Sequence, residues 1–179
     1  MGDSTPMTVD HARTERIELC ETLDGVGPDA ATLCDGWNAA DLAAHLVIRE
    51  RRPDAAVGIP WGPLAGYSEK VRRSYAGKPW GELVSLVRTG PPLLSLFAIP
   101  GVDRLANTME LFVHHEDLRR PQDQAPRHLD DDFADQLWTI VGRMSKLLLL
   151  QGSGRAHPGH RRRPFGGSKG RRADGHRER

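Results

Sequence analysis

Apolar positions recur every three to four residues through most of residues 1–150, and no segment shows the clean alternation of a half-buried strand. Ala12, Arg16, Leu19, Cys20 and Leu23 form the first such stripe. They predict a helix from about Val9 to Leu23, stopped by Gly25 and Gly27. After a loop from Pro28 to Trp37, Asn38 is placed as an N-cap, with Asp41 at the third helical position as a capping-box partner. The helix this opens carries Leu42, His45, Leu46 and Arg49 and stops before Pro53. Trp37, one residue before the cap, is expected to be a buried anchor packed near Leu42.

Residues 53–63 hold three prolines and two glycines and read as a loop. A helix is expected from Leu64 to Tyr75, and a shorter one from Pro79 through Leu83, Leu86 and Val87 to Gly90. Residues 93–100 are apolar but too short to separate a helix from a buried loop. A helix from about Val102 to Arg119 carries Leu105, Met109, Phe112 and Val113 and ends at Pro121. Asp130–Asp132 give an acidic first turn to a last helix running through Phe133, Leu137, Ile140, Val141, Met144 and Leu147–Leu150. Four long helices joined by loops predict an all-α, up-down four-helix bundle over residues 1–150.

Charge divides the chain at the same boundary. The overall net charge of +1 hides a body, residues 1–150, with 16 Lys and Arg against 22 Asp and Glu, and a tail with 9 against 2. Residues 151–179 contain 7 glycines, and Phe165 is their one large apolar side chain, so a disordered basic tail is expected. Runs such as Gly-His-Arg-Arg-Arg-Pro read as a frameshift product or as a genuine basic tail. An acidic body and few stacking aromatics in the tail argue against a nucleic-acid binder. No apolar run reaches the ~18 residues that span a bilayer, and the first residues lack the pattern of a secretory signal. Cys20 and Cys34 make no disulfide framework and no zinc-knuckle spacing; reduced thiols in a cytoplasmic protein are expected.

The chemistry sits in two helices. Glu110 and His114 are four residues apart, which puts carboxylate and imidazole on one helical face. The residues between them, Leu111, Phe112 and Val113, are all apolar, so this helix is expected to be heavily buried. A buried carboxylate wants a metal, a cation or a hydrogen-bond network. His45 is the one polar residue in Leu-Ala-Ala-His-Leu-Val, and with Glu110 and His114 it would complete a three-ligand set for a divalent ion. The plainer alternatives are a solvated salt bridge for Glu110 and His114 and a hydrogen-bonded core histidine for His45. His115 lies about 100° round the helix from His114 and is not expected to share its ion. Asp117, three residues beyond His114, is placed to hold the second nitrogen of that ring.

Cys34-Asp-Gly-Trp37-Asn-Ala-Ala-Asp41-Leu-Ala-Ala-His45-Leu resembles the Cys-x-Gly-Trp-x-x-x-Asp-Leu-x-x-His-Leu signature of the maleylpyruvate isomerase N-terminal, DinB-like superfamily. Glu110-Leu-Phe-Val-His114-His-Glu-Asp117-Leu-Arg-Arg resembles its second signature, and Arg49-Glu-Arg-Arg-Pro-Asp-Ala-Ala resembles an uncharacterised metal-binding branch. The resemblance spans roughly residues 8–150 and implies a four-helix bundle holding a divalent metal, commonly zinc, on His45, Glu110 and His114. It also implies a low-molecular-weight thiol, mycothiol in the isomerase. The tail matches neither the small C-terminal segment of that branch nor the larger domain of the two-domain isomerases. Two functions follow as expectations: a metal- and thiol-dependent transferase or isomerase acting on a small molecule, or a non-catalytic metal-binding bundle with a structural or sensing role.

Overall fold

The computed structural model describes residues 10–56, 62–92 and 107–152, with side chains described as far as residue 146. Every regular element among them is helical: α1 His11–Val26, α2 Ala39–Arg51, α3 Pro53–Ala56, α4 Ala65–Ala76, α5 Trp80–Thr89, α6 Thr108–Arg119 and α7 Asp131–Gly152. The all-α expectation holds. Residues 153–179, most of the expected tail, lie outside the described residues, as do 93–100 and the first residues of the helix expected from Val102. The chain divides into two units at Arg143/Met144, and the packing below belongs to the first.

Local chemistry sets the helix ends. Asp10 caps α1, its carboxylate accepting from the Arg13 N–H at 3.1 Å. α1 runs past the expected Leu23 and through Gly25 to Val26, and ends at Gly27, the second of the two glycines expected to stop it, whose φ is +82°. An interior glycine costs a helix only about 1 kcal/mol relative to alanine, less than burial of Leu19 and Leu23 returns. α2 opens with a complete capping box: the Asp41 N–H donates to Asn38 Oδ1, and the Asn38 N–H to Asp41 Oδ2. One-turn α3 replaces the start of the expected loop. α6 gives way to a tighter turn over Arg120–Gln122, and Asp130 accepts from the Phe133 N–H at the start of α7.

α1 packs against α5 and α6, while α2 packs against α4 and α5. The core they enclose holds Leu19, Leu23, Leu42, Leu46, Leu83, Val84, Val87, Leu111 and Leu118. Arg16 shares the apolar stripe of α1 for a reason the periodicity does not show. Its guanidinium forks onto both oxygens of buried Glu50 on α2, at 2.5 and 3.0 Å, and donates to the Val87 carbonyl of α5 at 2.9 Å. A bidentate pair of this kind fixes geometry across three helices.

Candidate metal centre

The capping box fixes the start of α2 and so places His45, one and a half turns in, on the side of α2 that meets α6. Glu110, in the first turn of α6, points back toward it. His45 Nε2 lies 3.1 Å from Glu110 Oε1, and His114 Nε2 lies 3.2 Å from the same oxygen. The two imidazole rings meet edge to face, with centroids 5.0 Å apart. One ligand atom from each of the three residues therefore lies within 4.8 Å of the other two. Ligand atoms about one zinc ion stand roughly 3–4 Å apart, so the described geometry suits a shared cation with only small adjustments. The three side chains expected to converge do so.

The surroundings orient these atoms. Asp117 Oδ2 lies 3.1 Å from His114 Nδ1, as its spacing predicts. With its proton on Nδ1 the ring donates to Asp117 and leaves the Nε2 lone pair for a cation; with the proton on Nε2 it donates to Glu110 Oε1 instead. Arg49, one turn beyond His45, brings Nε to 3.5 Å from Glu110 Oε1 and donates from a terminal nitrogen to Asn107 Oδ1 at 2.5 Å. Burial pushes the Glu110 carboxyl up, but hydrogen bonds from His114 and His45 and the charge of Arg49 outweigh it and hold it well below the usual carboxylate range.

Three features went unread in the sequence. Cys34 is the first. The Leu33 N–H donates to the Asp117 carbonyl at 2.9 Å and docks the preceding loop on α6. Cys34 Sγ then stands 3.4 Å from Asp117 Oδ2 and 3.9 Å from His114 Nδ1. Burial, followed by the hydrogen bond to Asp117, pushes the Cys34 thiol up to about 11. The second is Arg49, whose contact with Glu110 on another helix depends on the tertiary fold. The third is the place of Trp37. Its ring is half-buried rather than enclosed, sits 5.2 Å from the His45 ring, and is covered by the Arg72 guanidinium at 4.9 Å from its centroid. Arg72 is itself held by Asp41 and Glu69. Trp37 thus belongs to the wall beside His45 as well as to the helix entry. Val113, expected to be buried, is 42% exposed; α6 is apolar between its two site residues without being covered all round.

His115 faces the other way, as its angle predicts. Its ring bonds Glu15 at 2.6 Å and Thr22 at 2.8 Å, beside an open pocket of about 540 Å³. Glu15, Glu18 and His115 also stand close enough to hold a cation. There the cation is already Arg127, whose guanidinium reaches Glu15, Glu18 and Glu116 at 2.8–3.0 Å. In the cluster around His45 the nearest such cation is Arg49, whose Nε contacts one ligand atom, Glu110 Oε1, at 3.5 Å.

Residues 9–92 match the mycothiol maleylpyruvate isomerase N-terminal domain family. The match agrees with the resemblance carried by Cys34–Leu46, and covers α1 to α5 with His45. Helix α6, with Glu110 and His114, lies beyond the matched segment of this isomerase domain, and its share in the site rests on the geometry above. No curated protein and no solved structure matches the chain. No helix among the described residues is long and apolar enough to cross a membrane.

Proposed function

We propose that this chain binds one divalent metal ion, zinc being the best fit, on His45, Glu110 and His114, and uses it with a low-molecular-weight thiol such as mycothiol in a transferase or isomerase reaction on a small electrophile. The observation that carries the reading is the meeting of His45 Nε2 and His114 Nε2 at Glu110 Oε1, at 3.1 and 3.2 Å. Two imidazoles and one carboxylate suit zinc and leave open coordination positions. A bound ion would supply Lewis acidity and would lower the pKa of a thiol or water in an open position.

The chain's own residues prepare that site. Asp117 holds the His114 ring so that Nε2 presents its lone pair. Arg49 steadies the Glu110 carboxylate at the same oxygen the histidines meet and, through Asn107, ties the start of α6 to α2. Trp37 limits rotation of the His45 ring and presents an aromatic surface to whatever approaches it. The Cys34 thiol, held protonated near neutral pH, is not suited to be the nucleophile, so an external thiol fills that role.

A non-catalytic role for the ion is the second reading. It is favoured by the position of the ligands on two helices, α2 and α6, which a metal would clamp together. One experiment separates the two: turnover of small electrophiles by the zinc-loaded chain with mycothiol supplied, beside His45→Ala. Thiol-dependent turnover lost in the variant supports the enzyme. Zinc that raises the melting temperature while no thiol adduct forms supports the structural clamp.

A further inference from the structure

We propose that Cys34 Sγ, His114 Nδ1 and Asp117 Oδ2 form a second cation site, on the opposite side of the His114 ring from His45 and Glu110, that takes thiophilic divalent ions. The proposal does not need the first site to work; it shares only the His114 ring with it.

The three atoms come from two elements, the loop before α2 and the last turns of α6, brought together by the Leu33–Asp117 main-chain bond. Their separations are 3.9 Å for sulfur to nitrogen, 3.4 Å for sulfur to oxygen and 3.1 Å for nitrogen to oxygen. Around a tetrahedral zinc ion the same pairs stand about 3.3–3.6 Å apart, so shifts of a few tenths of an ångström suffice. All three residues are partly exposed, with 15% and 21% of the His114 and Asp117 side chains open to solvent, so an ion can reach them. Without an ion, the same atoms are held together by hydrogen bonds, with Cys34 and His114 both facing Asp117 Oδ2.

The chemistry differs from that of the first site. Thiolate, imidazole and carboxylate make a softer donor set than two imidazoles and a carboxylate, and favour cadmium over harder ions. As the sulfur takes the ion, the thiol proton leaves to solvent. A neutral imidazole has one free lone pair. With the proton on Nδ1 the ring serves the first site. With the proton on Nε2, donated to Glu110 Oε1 at 3.2 Å, it serves the second. One ion is therefore held on one side of the ring or the other, and the nature of the ion sets the side.

The test is titration of the full chain with cadmium, read by the near-ultraviolet thiolate-to-cadmium charge-transfer absorption. The absorption should rise to an end point of one ion per chain and be absent in Cys34→Ser. It should persist in His45→Ala/Glu110→Gln, which removes the first site alone. Asp117→Asn, which keeps the size of the side chain, should weaken cadmium binding at least about 10-fold, the lower range for loss of a supporting metal-site partner. No charge-transfer absorption in the wild-type chain would overturn the proposal. So would an absorption that survives in Cys34→Ser, since the sulfur would then be Cys20. Failure of the first site would show as zinc binding indifferent to His45, an outcome that leaves the cadmium readout unaffected.

Discussion

Replacing Trp37 with alanine tests how far the wall of the site and the entry to α2 are one structure. A fully enclosed tryptophan side chain buries on the order of 200 Å², and one with the intermediate exposure of Trp37 about three quarters of that, roughly 150 Å². At about 25 cal/mol per Å² that is roughly 4 kcal/mol. The unfolded chain already hides part of this surface, so the loss falls to about 3 kcal/mol. Arg72 adds to it, because its guanidinium lies 4.9 Å from the ring centroid and gains about 0.5–1 kcal/mol there. Trp37→Ala should therefore lower unfolding stability by about 3–4 kcal/mol in urea titration at unchanged m-value. Trp37→Phe should recover more than half of it. Zinc affinity, measured well below the unfolding transition, should fall as well, because the His45 ring loses the surface 5.2 Å away that limits its rotation. A loss under 1 kcal/mol would refute the packing argument. A full loss of stability with unchanged zinc affinity would show that Trp37 acts on the helix entry alone.

Asp117→Asn should weaken zinc binding about 10- to 100-fold in chelator competition, since the ring it orients carries a ligand. Burial raises the Glu15 carboxyl, but His115 and Arg127 outweigh it, so its folded pKa lies below the ordinary 4.5. The stability it contributes is complete above that value and is lost as pH falls through the folded pKa; Glu15→Gln should flatten this acid limb in a plot of melting temperature against pH. Gly90→Ala should destabilise by about 1–2 kcal/mol, because φ is +71° and the added carbon would stand 3.4 Å from the Arg16 guanidinium. Gly25→Ala, inside α1 with open space around it, should stabilise by up to about 1 kcal/mol in the same assay.

The sequence made legible what depends on neighbours along the chain. The Asn38–Asp41 capping box, the stop before Pro53 and the i, i+4 and i, i+3 relations of Glu110, His114 and Asp117 are all local, and all are found. The direction of His115 followed from the helical angle alone. Helix ends set by competition were misjudged: Gly25 looked like a stop, but the buried leucines of α1 outweigh its propensity cost. What depends on one element docking on another was hidden. Cys34 reaches His114 only because the loop before α2 bonds to the Asp117 carbonyl, and Arg49 reaches Glu110 only because the fold brings side chains of α2 and α6 within reach of each other. Val113 misled for the opposite reason, since an apolar residue on a helix need not meet a partner.

The central claim is that one divalent ion sits between His45, Glu110 and His114. Zinc X-ray absorption on the wild-type chain loaded with one equivalent tests it most directly. The account predicts a first shell of nitrogen and oxygen at about 2.0–2.2 Å with outer-ring scattering from two imidazoles. In His45→Ala one imidazole should be missing. A first shell without histidine scattering, or one unchanged by His45→Ala, would contradict the account.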